Sequence, residues 1–432
     1  MTAHTTSVRT VNPASLGAST PAQQTPLPTP IGLYVHIPFC ERKCPYCDFN
    51  TYAGMASLYA DYVDALCLDL ARWGSALAAR PVATVFLGGG TPTVLDEALL
   101  ARIFQAIQDH FTLLPGAEIT CEANPGAVDR AKFQALRRLG VNRLSMGIQS
   151  FQPEELRFLG RIHSAEEGAE AFQAARTAGF SNINLDFIFG LPGQEAKSWA
   201  ATLDRAVALG PEHLSLYSLI VEPGTPLHHW VESGRVPAPD EDQAALLYEM
   251  AMARLDRAGY VQYEVSNWAR GEGASPGVSR PTEPTHVCRH NRIYWRNQEY
   301  LGLGPGAHSH LTLAQGAASI PQELRWGNLR SVPEYIRRVQ ADQSTVDFQE
   351  VIHPRLAMGE TMMLGLRLLQ EGVPFATFQE RHGQDLRQVF RAELARLTEW
   401  GLLAVDEERV RLTRRGLLLG NQVFAAFLPD AS

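Results

Sequence analysis

Short apolar runs and amphipathic stretches alternate along most of this chain. β-rich runs fall at 33–37, 84–87, 118–122, 143–148, 184–189 and 213–219. Helical patterns follow them at 57–79, 95–111, 129–139, 165–178, 196–208 and 240–258. Six βα units in succession, with little room for hairpins, predict a parallel sheet with helices outside it. A doubly wound open sheet also satisfies the pattern. Polar residues at successive strand ends favour an α/β fold of the incomplete TIM-like kind, a partial (β/α)6 barrel. In such barrels the C-terminal strand ends carry the active site.

The pattern breaks in three places. The first 30 residues hold seven Thr, five Pro, four Ala and three Ser with no Asp or Glu, so 1–30 is predicted to be a disordered tail and 31–265 the barrel. This tail has no basic start followed by an apolar stretch, unlike a secretory signal. A segment rich in Gly, Ser and Pro at 270–285 is predicted to be a flexible insertion within a connecting segment, 266–345. From 346 to 432 helices are expected near 358–370, 375–381 and 385–399. Two short apolar runs around an acidic turn (401–416) then suggest a small helical, winged-helix-like domain.

Composition narrows the function. The 432 residues are 45% hydrophobic and 19% charged, with a net charge of −8 and a pI near 5.9. An acidic chain is a poor partner for nucleic acid. Within Val351 to Ser432 ten Arg balance ten Asp plus Glu, so the winged-helix-like part carries no basic surplus and reads as a packing or substrate-covering element. No run of 18 apolar residues exists, which excludes a transmembrane helix on this criterion. Six cysteines without a disulfide-framework pattern fit a reducing cytosol.

Three of those cysteines, Cys40, Cys44 and Cys47, follow the first apolar run in Tyr34-Val-His36-Ile-Pro38-Phe39-Cys40 and its continuation. Spacings of three and two residues suit three irons of a 4Fe–4S cluster, leaving the fourth iron without a protein ligand. An open position is where a metal site does chemistry. Its natural occupant is the amino-carboxylate end of S-adenosylmethionine (SAM). Two rivals exist: Cys44-Pro45-Tyr46-Cys47 as a redox dithiol, and a zinc site. Neither accounts for Cys40, and zinc wants a fourth ligand.

Other strand ends are also polar: Gly88-Gly89-Gly90-Thr91-Pro92 after the second, Cys121-Glu122 and Asn124 after the third, Gly147 to Ser150 after the fourth, and Asp186 to Pro192 around the fifth. Glycines allow close approach of backbone amides to a ligand. The flanking donors and acceptors suit the amine, ribose and adenine of a nucleoside cofactor.

Together, Tyr34-x-His36-Ile-Pro38-Phe39-Cys40-x3-Cys44-x2-Cys47, the Gly88–Pro92 run, Ser145-Met-Gly147-Ile-Gln149-Ser150 and Asp186-x3-Gly190-Leu191-Pro192 resemble the radical SAM family. The branch that looks nearest holds the oxygen-independent coproporphyrinogen III oxidases and their haem-chaperone relatives. The resemblance implies that Cys40, Cys44 and Cys47 bind the cluster. It implies that Tyr34, Tyr46, Gly89, Gly90, Thr91, Glu122, Gln149, Arg161, Asp186 and Ser218 line the SAM site.

Two departures separate the branches. Oxidases of this kind carry another Cys two residues after the third cluster Cys, where this chain has Phe49. The run His290-Asn291-Arg-Ile-Tyr294-Trp295 is similar to the H-N-x-x-Y-W signature of the haem chaperones. Imidazole can ligate haem iron, while Tyr and Trp offer flat apolar faces to a porphyrin. The expectation is a protein that binds a 4Fe–4S cluster, SAM and haem, with His290, Tyr294 and Trp295 at the haem, and passes haem to an acceptor protein that can be membrane-bound. It would work in the cytoplasm or peripherally at the membrane, as a monomer or a homodimer. The alternative is radical oxidative decarboxylation of coproporphyrinogen III. Cys288 and His308 are reserve haem ligands, whereas Cys67 and Cys121 read as structural. The glycines at 302, 304 and 306 read as a tight turn rather than a dinucleotide fingerprint.

Overall fold

The computed structural model describes residues 11–13, 29–78, 80–271, 284–314 and 321–429. Six parallel strands form the centre: β1 (Ile31–Ile37), β2 (Val82–Gly89), β3 (Leu113–Ala123), β4 (Arg143–Gln149), β5 (Ile183–Phe189) and β6 (His213–Ser218). The helices between them are α1 (Tyr59–Ala76), α2 (Glu97–His110), α3 (Arg130–Arg138), α4 (Pro153–Phe158), α5 (Ala165–Thr177) and α6 (Ala196–Leu209), with α7 (Pro226–Glu232) and α8 (Glu241–Arg257) after β6. Strands covered on both faces read as continuous apolar runs, as β1 does, with six of its seven residues buried. Helix starts are set by side-chain caps. Asp96 accepts from Leu99 N at 2.8 Å, and Ser164 with Glu167 forms a reciprocal capping box.

The sheet is larger than six strands. Four come from the segment expected to be a connector or its border, β8 (Asn267–Arg270), β9 (Tyr300–Leu303), β10 (His308–Leu313) and β11 (Gln322–Asn328), flanked by β7 (Tyr260–Gln262) and β12 (Val346–Val351). The order is β12-β11-β10-β9-β1-β2-β3-β4-β5-β6-β8-β7. β9 runs parallel to β1, and β10, β11 and β12 follow as antiparallel neighbours. Two helices, α9 (Arg289–Trp295) and α10 (Val332–Gln340), belong to the same stretch. The strands described within 266–345 therefore extend the barrel sheet. They escape a pattern search because they are short and interrupted by His, Ser and Arg. The glycine run does follow a strand, β9, but leads into strand β10 rather than a helix.

Strand β12 also moves the domain border. It pairs with β11, so the C-terminal domain starts after it, with α11 (Pro354–Gly365). That domain has its own core, including Met362, Phe378, Phe390, Val410 and Phe427, and a three-stranded sheet closed by the predicted hairpin (Leu403–Val405 with Arg409–Leu412). Within the expected tail, Val11 is buried against the main core; its N–H donates to Gln349 Oε1 at 2.7 Å and its carbonyl accepts from Ser344 Oγ at 3.2 Å. The rest of that tail (1–10 and 14–28) lies outside the described residues, as does 272–283 of the expected insertion. The insertion's two arms are joined, since Thr285 N donates to Arg270 O at 2.8 Å. Among the described residues no helix is long and apolar enough to cross a membrane.

Candidate functional site

The cysteine loop leaves β1 and is braced by its own backbone. Phe39–Cys40 pairs with Tyr52–Ala53, and Lys43 Nζ donates to the carbonyls of Phe49 (3.2 Å) and Thr51 (3.1 Å). All three thiols are half-buried and none is in a disulfide. Polar groups stand against each of them: Thr91 Oγ1 donates to Cys40 Sγ (3.7 Å), Arg161 Nη1 to Cys44 Sγ (3.5 Å), and Thr51 Oγ1 lies 3.9 Å from Cys47 Sγ. Hydrogen bonds to sulfur tune a thiolate-bound cluster. Burial pushes the Cys40 and Cys47 thiols up, so they would ionise on binding metal rather than before it. Among the described residues no group of three or more His, Cys, Asp or Glu side chains is placed to hold a single metal ion. Three thiols on one braced loop, each with a polar group against its sulfur, fit the thiolate ligands of an iron–sulfur cluster.

Beside the loop lies the glycine triplet. Gly90 N donates to Ile37 O (2.8 Å) and Thr91 N to Phe39 O (2.7 Å), which ties the triplet to the start of the cysteine loop. Gly89 has φ +104°, and a Cβ there would stand 2.2 Å from the His36 ring. A Cβ at Gly90 would stand 2.5 Å from Phe39 O. Only glycine permits this cradle.

The remaining strand-end residues surround it. Gly89 N donates to Glu122 Oε2 at 3.0 Å. Burial, and secondarily the nearby Asp186 carboxylate, push Glu122 up to about 8. Asp186 accepts from Ser145 Oγ (3.0 Å) and Asn184 Nδ2 (2.8 Å) and is also raised by burial. Arg161 Nη2 donates to Gly147 O (2.7 Å), while its buried Nε has no partner among the described residues. Gln149 adopts φ +68°, and Ser218 is exposed where β6 ends. Tyr46 packs against the small apolar cluster of Leu159, Ile188, Leu191, Leu219 and Leu227, and burial raises its phenol. The unpartnered guanidinium nitrogen, the glycine cradle and the carboxylates suit a ligand that carries both an amine and a carboxylate, as SAM does.

A cavity of about 600 Å³ opens from the first two strand ends toward the C-terminal domain. Tyr34, His36, Gly89 and Glu122 from the first three strands line it, together with Tyr294, Trp295, Tyr300 and, from the C-terminal domain, Met363. Phe49 also lines it, with its side chain 63% exposed. Tyr34 OH sits 2.9 Å from His36 Nδ1, and His36 Nε2 is 2.9 Å from Asn50 O.

His290 itself is not on this cavity. It is 1% exposed, its Nδ1 lies 2.7 Å from Thr84 Oγ1, its Nε2 lies 2.8 Å from Tyr294 OH, and its backbone N–H donates to Glu118 Oε1. Burial, then the Arg143 charge, lowers the imidazole to about 3, so it is neutral. The geometry makes it a support for Tyr294. Cys288 is buried too: its thiol faces Glu118 at 3.8 Å, and burial pushes it up to about 12. Cys121 is buried in β3, and Cys67 donates to Arg102 O (3.7 Å) on the outer helices. Sequence reading missed Tyr300, His310, Arg325, Glu360 and Met363 as cavity residues. They come from four separate elements, and no local motif joins them.

Comparison with known proteins agrees with this geometry. Residues 34–206 match the model of the radical SAM superfamily, and 352–419 match the HemN C-terminal domain. The chain is 36% identical over 400 residues to the haem chaperone HemW of Bacillus subtilis, covering 92% of this chain and 99% of that protein. It is 35% identical to HemW of Escherichia coli, covering 93% and 99%. The fold is similar to the structure of coproporphyrinogen III oxidase (HemN) from Escherichia coli, with a TM-score of 0.77, 24% identity, and coverage of 97% and 93% of the two chains. A cluster-type cysteine loop on a partial barrel, a HemN-type C-terminal domain and near full-length likeness to these chaperones place the chain in the radical SAM superfamily, in the HemW family.

Proposed function

We propose that this protein is a haem chaperone: it holds haem in the cavity between the barrel and the C-terminal domain and hands it to an acceptor protein. The observation that carries this reading is the cavity itself. Its volume falls in the usual range for ligand sites, about 300–1,000 Å³, and Tyr294, Trp295, Tyr300 and Phe49 supply aromatic surface on its walls. Flat π-faces suit a macrocycle. The likeness to proteins named haem chaperones supports the same reading.

Cys40, Cys44 and Cys47 would hold a 4Fe–4S cluster, and the glycine cradle, Glu122, Arg161 and Asp186 would hold SAM. A reduced cluster of this kind supplies an electron for cleaving the sulfonium bond of SAM. The chain's own part is to exclude water from that region, to orient the amine and carboxylate, and to place Tyr34, Gly89 and Glu122 where the SAM wall and the haem wall meet. Phe49 stands in the cavity where the oxidases carry a cysteine, and so favours the chaperone over decarboxylation. We place the protein in the cytoplasm, meeting any membrane-bound acceptor peripherally.

The test is a haem titration of anaerobically reconstituted protein followed in the Soret region. Saturable binding near one haem per chain, with transfer to an apo-acceptor, is expected. No Soret change at micromolar haem would remove the reading and return the decarboxylase to first place.

A further inference from the structure

Three histidines, His36, His308 and His310, line the cavity and a fourth, His290, lies behind its wall; their ring nitrogens are not equally free. His36 uses both, toward Tyr34 OH and Asn50 O, and His290 uses both, toward Thr84 and Tyr294. His310 is 2% exposed, and its Nε2 is 2.8 Å from Glu323 Oε1, a carboxylate that also accepts from Arg381 at 2.9 Å. His308 differs. It lines the cavity from the first position of β10, its side chain is exposed, and its ring makes no hydrogen bond among the described residues. Among the described residues its one ring contact is with Phe348, at 5.3 Å between centroids and steeply tilted.

We infer that His308 would supply the protein ligand to haem iron in this cavity, and that His290 is a positioning residue behind Tyr294. The inference rests on the haem reading above. An iron ligand needs a free imidazole lone pair, open space in front of it and a fixed ring orientation. His308 meets the first two by having no partner while facing the cavity. Phe348 supplies the third by packing edge-on against the ring. Partial burial and the charges of Arg325 and Arg330 lower its affinity for protons, which keeps the nitrogen available near neutral pH. Glu360, which also lines the cavity, and Glu350 hold that guanidinium by ion pairs of 2.6 and 3.5 Å. His290 would have to break two buried hydrogen bonds and turn out from behind Tyr294 to reach the iron.

The full-length protein, reconstituted with its cluster, is titrated with haem as wild type, His308→Ala, His308→Met and His290→Ala. The Soret maximum and the EPR spectrum of the ferric haem are recorded. Expected are saturable binding by wild type and loss of its haem spectrum in His308→Ala, with affinity weaker by at least roughly tenfold. Free imidazole should restore the wild-type spectrum in that variant, which a merely structural defect would not allow. His308→Met should bind with a different spectrum, whereas His290→Ala, which loses only the support behind Tyr294, should keep the wild-type ligand signature while binding more weakly. A wild-type spectrum and affinity in both His308 variants would overturn the assignment while leaving haem binding intact. Failure of wild type to bind would instead sink the haem reading as a whole.

Discussion

The Tyr294 hydroxyl lies 2.8 Å from Nε2 of His290, and of the two side chains only the tyrosine reaches the cavity. The pair sits one helical turn apart on α9, so the residues share a face but not a depth. His290 anchors that face to β2 through Thr84, while Tyr294 and Trp295 present rings to whatever fills the space.

It follows that His290→Ala should damage folding more than haem binding. The change leaves the buried Thr84 hydroxyl without its partner and removes the ring that packs on Phe86 at 5.2 Å. A loss of about 1–3 kcal/mol is expected, read as a lower midpoint in urea or heat. The haem spectrum below that midpoint should be unchanged.

Gly89→Ala should abolish SAM binding. The alanine Cβ would need a positive φ and would collide with the His36 ring at 2.2 Å, and the cost of such strain is about 1–3 kcal/mol. Relief would shift the Gly89 N–H away from Glu122. Equilibrium dialysis of SAM against the reconstituted variant checks this, and undiminished binding would remove the triplet from the SAM site.

The cysteine loop and its arginine should separate in their effects. Cys44→Ser should sharply reduce iron and acid-labile sulfide after reconstitution, and SAM binding with them. Arg161→Ala should keep the iron but lower the reduction potential, because the guanidinium that donates to Cys44 Sγ at 3.5 Å favours the more negative, reduced state. An EPR-monitored redox titration reads the shift, and an unchanged potential would show that the guanidinium does not act on the cluster.

Glu122 gives a pH dependence with a defined sign. Its folded-state value, about 8, lies above the ordinary 4.5. The folded protein thus binds this proton more tightly than the unfolded chain. The associated stability is fully present below about pH 4.5 and is lost as pH rises toward 8. For a ligand amine the effect is reversed, since its N–H donors bind more strongly to the ionised carboxylate. SAM affinity should therefore rise as pH increases from 6 toward about 8 and then level off, and Glu122→Gln should flatten the profile. Dissociation constants measured across that range decide it.

The sequence by itself determined the βα alternation, the cysteine loop and the polar strand ends. Each is written in contiguous residues: a continuous apolar run such as 184–189, a three-and-two spacing of cysteines, a Gly triplet after a strand. Local periodicity and short-range sterics suffice for these, and the six parallel strands lie where the pattern put them. Tertiary structure decided what depends on pairing between distant segments. The strands from Tyr300 to Val351 join the sheet only because β9 docks beside β1, about 270 residues earlier in the chain, and nothing in their short, polar-interrupted sequences announces that partner. The same docking carries His308 to the cavity wall and brings Arg325 to Glu360. It buries His290 behind Tyr294, although both belong to one six-residue motif. A motif states which side chains are present; the depth of each, and which nitrogen is left free, comes from the packing of elements that are remote in sequence.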